Sequence, residues 1–240
     1  MNTTTAPDII IPDSMLTDFS AMTSQEMIIA TLTMICGDGV VEIRCLDAAG
    51  RGKRTDSGYF DNYQQAAVAV QRYVNDGKTK GVYFVLNPVL PELLARAANR
   101  FEEWAKNTTS DDAVTCRQWL YIDCDPKRPS GISSTENQVQ QALQRAADIS
   151  EWLGSQGLCE PISAMSGNGS HLHLPISLLN DKKSESLVKG VLRTLDAKFS
   201  DDLISIDQTV SNAARICRLY GTIARKGDST VDRPYEWQGY

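Results

Sequence analysis

The sequence predicts an α/β fold, built as one domain or as one domain with a small appendage. Three observations carry that reading. At 240 residues the chain is long enough to bury a sizeable core. Stretches of helical apolar spacing alternate with short β-rich runs. Three of those runs end in groups suited to a metal or a phosphate, at strand ends, where ligands collect in α/β sheets. Composition narrows the class: 42% hydrophobic and 22% charged residues is the balance of a soluble globular protein. There is no signal peptide and no apolar run of membrane-spanning length. Cys36, Cys45, Cys116, Cys124, Cys159 and Cys217 are scattered with no C-x-x-C pair. That argues against a zinc knuckle or a disulfide framework and for reduced thiols in a cytoplasmic compartment. A net charge of −6 argues against nucleic acid on average, so local charge distribution decides that question.

Residues 1–20 are polar and unpatterned and are expected to form a loose tail. Met27, Ile28, Leu32 and Ile35 fit one helical face behind Ser24 as N-cap. Gly37, Asp38 and Gly39 make a turn, and residues 40–46 a strand. Residues 47–57 place Arg51, Lys53 and Arg54 among glycines, a flexible basic loop, and residues 58–61 lead into a helix through Ala66, Val70 and Val74. Residues 81–86 suit a buried strand. Pro91 opens a helix with Leu94, Ala97, Ala98, Phe101 and Trp104 or Ala105 inward, and residues 107–112 are a polar loop.

The next run, residues 119–126, alternates with period two and is stopped by Pro126. Leu120, Ile122 and Cys124 share one face; Tyr121, Asp123 and Asp125 share the other. After a Pro/Gly/Ser loop, Ser133 and Glu136 have capping-box spacing for a long helix with Val139, Leu143, Ala146 and Leu153 on its stripe. A turn over residues 166–170 precedes a strand with Leu172, Leu174 and Ile176 inward and both His171 and His173 on the solvent side. Leu187, Val188, Val191, Leu192, Leu195 and Phe199 mark a further helix, residues 203–207 a short strand ending in Asp207, and residues 211–226 a basic segment.

Two carboxylates side by side on one strand face repel unless a cation sits over them, and Mg²⁺ is typically held by one or two carboxylates plus substrate phosphates. A strand running into an acidic turn gives the same D-x-D pattern, so its meaning depends on the rest of the chain. A calcium loop is excluded, with Lys127 at the fifth position and Ser134 at the twelfth. The small residues Ser166, Gly167 and Gly169 can bring backbone N–H groups close to a phosphate, and His171 adds a side-chain donor. Arg215, Arg218, Arg225 and Lys226 fall within twelve residues that contain no acid, a local cation density that offsets the acidic average.

In this order the motifs resemble those of the archaeo-eukaryotic primase superfamily, in particular the primase–polymerase domains of phages, plasmids and related mobile elements. A hydrophobic strand ending D-x-D is matched by Asp123 and Asp125. A small-residue turn ending in histidine is matched by residues 166–171, and a strand ending in aspartate by Asp207. Residues 82–89, 125–131 and 214–222 look like stretches of the primase–helicase subgroup. The resemblance implies an antiparallel, RNA-recognition-like (RRM-like) catalytic core with helices behind it over residues 111–240, next to a smaller N-terminal α/β unit over residues 21–110. It implies a DNA primase/polymerase that transfers nucleotides from NTP or dNTP on a single-stranded DNA template and primer, with a helicase fused or separate and no membrane. Asp123, Asp125 and Asp207 would bind two Mg²⁺ or Mn²⁺ ions, and no zinc is expected. Ser166, Gly167, Gly169, His171, Arg215 and Arg218 would serve the nucleotide, and Arg225, Lys226, Arg51, Lys53 and Arg54 the nucleic acid. Ser170 and the run His173-Leu174-Pro175 depart from the family pattern and bear on base and sugar selectivity.

Three other readings compete. His171-Leu172-His173 is also the histidine pair of rolling-circle and relaxase nucleases, which use a tyrosine nucleophile; Tyr220, however, has Ala224 at i+4 in place of the lysine of that helix. A D-x-D glycosyltransferase would leave the basic segment without a purpose. A non-catalytic nucleic-acid-binding module would have no use for acids at all three strand ends.

Overall fold

The computed structural model describes residues 21–240, so the tail expected over residues 1–20 lies outside the described residues. The fold is α+β with antiparallel sheets. Its second half begins with β5 (Cys116–Pro126), α3 (Glu136–Ser155), β6 (Ile162–Met165) and β7 (Ser170–Leu179). It continues through α4 (Lys182–Phe199) and β8 (Ile204–Ile206). The strands lie in the order β6-β7-β5-β8, each pair antiparallel, the split β-α-β-β-α-β arrangement.

Both helices bury one face on this sheet. Ala142, Ala146, Ile149 and Leu153 of α3 and Val188, Leu192 and Leu195 of α4 join Leu120, Ile122, Cys124, Leu172 and Leu174 in one core. The cap of α3 sits two residues later than the spacing predicts. Thr135 and Gln138 form the capping box, because Ser133 and Ser134 are buried and committed to the carbonyls of Lys226 and Asn168.

The first half consists of α1 (Ser24–Cys36), β1 (Val41–Leu46), β2 (Thr55–Phe60), α2 (Tyr63–Asp76), β3 (Gly81–Val85) and the two-residue β4 (Phe101–Glu102). Their sheet, in the order β4-β2-β1-β3-β9, is completed by β9 (Ile216–Arg218), which returns from the end of the chain to pair with β3. A short ladder of β10 (Ile223–Ala224) and β11 (Glu236–Trp237) follows. One continuous apolar cluster runs from Ile28 and Val70 to Leu120 and Leu192, so the two halves share a core. Among the described residues no helix is long and apolar enough to cross a membrane.

Two stretches differ from the sequence-based expectation. Residues 47–57 are not loop throughout, since β2 starts at Thr55 and pairs along β1. The helix expected from Pro91 is only a short 3₁₀ turn over Pro91–Arg96, followed by β4. Asn99 takes the left-handed region (φ 51°), and its side-chain oxygen accepts from the N–H groups of Asp61 and Asn62. The Ala97 carbonyl accepts from Tyr59 N–H, so these groups serve the edge of the sheet instead of a helix.

The strand that carries the acids is shaped by Pro175. It lies opposite Trp119, where it can donate nothing to the ladder, and the register of β5 shifts between Arg117 and Trp119. The freed N–H groups of Gln118 and Trp119 both donate to the Asn87 side-chain oxygen, at 2.9 and 3.3 Å. The Trp119 indole N–H donates to the Ile35 carbonyl at the end of α1 (3.0 Å).

Candidate active site

The three acids come together through strand pairing. Asp123 lies opposite His171 on β7, Asp125 opposite Ser205 on β8, and Asp207 N–H donates to the Asp123 carbonyl at 3.0 Å. Tyr121, Asp123 and Asp125 share the sheet face away from α3 and α4, as period-two alternation requires. One oxygen of Asp207 accepts from Thr209 N–H (2.7 Å), and the other lies 3.6 Å from Arg215. Asp125 is 3.6 Å from Arg128, whose guanidinium also donates to the carbonyls of Pro126 and Ile132.

Asp123 sits deepest, its side chain 16% exposed against 43% for Asp125. Burial pushes its carboxyl well above the usual range. The charges of Asp125 and Asp207 push the same way, and Arg215 and Arg218 oppose them. An oxygen-only donor set that repels itself in this way fits a hard divalent cation.

The turn before His171 lies directly against this strand. A Cβ at Gly169 would stand 2.4 Å from the Cys124 carbonyl oxygen and 3.2 Å from an Asp125 carboxylate oxygen. Gly167 has φ +81° and would meet the Ala224 methyl at 2.6 Å. Only glycine permits both approaches. Within the turn Gly167 N–H donates to Met165 Sδ and Gly169 N–H to Ser166 Oγ. The donor left unpartnered there is the buried amide of Asn168, whose oxygen already accepts from Ser134 N–H.

A cleft of about 150 Å³ is lined by Asp123, Asp125, Arg128, Asn168, Arg215, Arg218 and Lys226 among others; Asp207 stands outside this lining, 3.6 Å from Arg215. Arg215 Nε and one Arg218 Nη are likewise buried without a partner, and the Arg218 guanidinium lies over the Tyr83 ring (4.9 Å). Burial and the neighbouring Arg128 lower the Lys226 ammonium from its ordinary value. The cleft thus brings carboxylates together with buried N–H donors that have no partner.

The remaining basic residues go elsewhere. Arg225 donates to the carbonyls of Val74, in the last turn of α2, and of Thr79, beyond its end. Arg54 is buried, held by both oxygens of Asp56 and by Glu103. Arg51 and Lys53 are exposed in the loop before β2 and do not line the cleft.

Both histidines are buried, His171 at 3% and His173 at 0% exposure, so the strand face predicted to meet solvent is instead covered by Tyr220 and Cys217. Arg128, Asn168, Tyr83 and Lys226 complete the cleft. Of these, Arg128 follows Asp125 by three residues and was within reach of a sequence argument, whereas Tyr83 enters only through the β3–β9 pairing.

No protein-family model matches the chain, and no curated protein matches it in sequence. Among solved structures it is similar to primase RepB′, at 13% identity and a TM-score of 0.44, over 90% of this chain and 55% of that one. It is also similar to the polymerase domain of ligase D from Mycobacterium tuberculosis in complex with DNA, at 12% identity and a TM-score of 0.48, over 88% of this chain and 79% of that one. The chain therefore spans little more than half the length of the RepB′ chain.

Proposed function

We propose that the chain is a nucleotidyltransferase of the primase–polymerase type, adding NTP or dNTP units to a primer on single-stranded DNA. The observation that carries this reading is the meeting of clustered carboxylates and unpartnered N–H donors at one cleft. Asp123, Asp125 and Asp207 would hold two Mg²⁺ or Mn²⁺ ions. Such ions, when bound, activate a 3′-hydroxyl and stabilise a leaving pyrophosphate. Arg215, Arg218, Lys226 and the Asn168 amide would bind and orient the triphosphate, the planar guanidinium groups offering paired contacts to its oxygens. His171, beside Asp123, would add one neutral N–H donor.

The tyrosine-nuclease reading is disfavoured by the position of Tyr220. It is fully buried, with its hydroxyl 2.8 Å from His171 and 2.7 Å from His173, and has no path to a phosphodiester. The test is primer extension by the purified chain with labelled nucleotides and Mn²⁺ or Mg²⁺. Ladder products that vanish with Asp125→Asn are expected; a covalent tyrosine–DNA adduct without extension would replace this reading with the nuclease one.

A further inference from the structure

Three arginines line the cleft, and two of them are held by protein oxygens. Arg128 donates to the carbonyls of Pro126 and Ile132, and Arg215 lies 3.6 Å from Asp207. Arg218 is held differently. Among the described residues no hydrogen bond or ion pair engages its guanidinium, and its Nη1 is buried without an acceptor. What fixes it is shape. Arg218 pairs with Tyr83 across β3 and β9, so both side chains leave the sheet on one face. The guanidinium carbon stands 4.9 Å from the ring centroid, within cation–π range. Gly81 lies two residues before Tyr83, on the same face of β3. A Cβ there would stand 2.5 Å from that same Nη1 and 3.0 Å from the Tyr83 ring. Gly81 has no positive φ, so the backbone does not require a glycine at this place in the strand. The close approach of the guanidinium does.

We propose that Gly81 and Tyr83 are positioning residues that hold Arg218 as an open donor for a phosphate group of the incoming nucleotide. The identity of that anion rests on the nucleotidyl-transfer reading; the geometry does not. A guanidinium offers five N–H donors and no acceptor. With none of them used by the protein, Arg218 gains most from an anion with several oxygens, and a phosphate accepts paired bonds from it. A carboxylate partner would orient the group at the expense of the donors that a ligand needs. A ring face orients it and leaves those donors free. An arginine loose in solvent loses rotamer freedom when it binds, whereas one lying between a ring and a glycine has already lost it. Tyr83 therefore acts through Arg218, and the ring suffices without its hydroxyl.

Two substitutions separate the contact from the fold: Tyr83→Phe keeps the ring and Tyr83→Leu removes it, at a half-buried position. Calorimetry of the full chain with Mg²⁺ and inorganic tripolyphosphate involves no base, sugar or primer. Tyr83→Leu should weaken tripolyphosphate binding about tenfold, the size of a partly desolvated cation–π contact, and Tyr83→Phe should bind as wild type does. Side-chain NMR of the arginine guanidinium groups, with Arg218→Lys assigning the signal, reads the contact without ligand. Wild type should show hindered rotation at Arg218, and Tyr83→Leu free rotation. Free rotation in wild type would overturn the proposal even if no variant folds. So would tripolyphosphate affinities that do not differ between the two variants, or a Tyr83→Leu loss confined to nucleoside triphosphates, which would assign the ring to the base. In primer extension Tyr83→Leu should raise the nucleotide KM about tenfold with a smaller change in kcat. A chain that extends no primer yet loses tripolyphosphate with Tyr83→Leu would keep the positioning role and remove the polymerase reading. Extension by Tyr83→Leu at an unchanged KM would do the reverse.

Discussion

Asp123 concentrates the electrostatic cost of the site. Its carboxyl is buried and faces two further carboxylates, so its pKa in the folded chain lies well above the ordinary 3.8. Above that ordinary value the unfolded chain has released the proton and the folded chain still holds it. Stability therefore falls as pH rises from about 4 through the raised pKa of the folded state. Asp123→Asn removes the effect. The metal-free variant should be more stable than wild type by roughly 1 kcal/mol at neutral pH, with a flatter dependence of melting temperature on pH, while incorporation is lost. Melting curves from acid to neutral pH check this, and an equal slope in both proteins would mean that Asp123 does not carry the strain. The faces of Asp123 and Asp125 were legible in the sequence because alternation along a strand fixes them. The burial of His173 was not: the same alternation placed it opposite Leu172, but what covers that face comes from Cys217 and Tyr220 on a distant segment.

At the scale of elements, the turn over residues 166–170 is the piece that sequence reasoning located and structure explains. Its small residues serve close approach more than exposed backbone donors, since the Gly167 and Gly169 N–H groups are used internally. Gly169→Ala sets a methyl against the Cys124 carbonyl, a backbone atom that cannot move without displacing β5. It should destabilise by about 1–3 kcal/mol and weaken nucleotide binding with it. Denaturant unfolding measures the first effect, and wild-type stability would show that the strand yields. The helix predicted after Pro91 failed for a tertiary reason. Its apolar spacing is helical, but Asn99 and Ala97 give their hydrogen-bonding groups to Asp61, Asn62 and Tyr59 across the sheet edge. Such tertiary partners leave no trace in periodicity.

Across the whole molecule, the charge distribution sets what the chain can hold. The net charge is −6, Arg54 and Arg225 are engaged internally, and Arg215, Arg218 and Lys226 line the cleft. Of the cations singled out in the sequence, only Arg51 and Lys53 are left exposed for a DNA backbone. Binding to single-stranded DNA should be weak, with a salt slope near −2, as about three phosphate contacts give. Arg54→Ala should leave that slope unchanged but cost about 3–5 kcal/mol of stability, because Asp56 would be left buried and unpaired. Fluorescence anisotropy at several salt concentrations reads the slope; a loss of binding by a folded Arg54→Ala chain would return Arg54 to the nucleic-acid surface.

The central claim is that the acids and the donors of this cleft bind metal and triphosphate together. Anomalous diffraction from crystals soaked with Mn²⁺ and a non-hydrolysable nucleoside triphosphate tests it most directly. The account predicts two manganese peaks among Asp123, Asp125 and Asp207, with the triphosphate against Arg215, Arg218, Lys226 and the Asn168 amide. Manganese at His171, His173 and Cys217 with the acids bare, or a triphosphate bound away from the cleft, would contradict it.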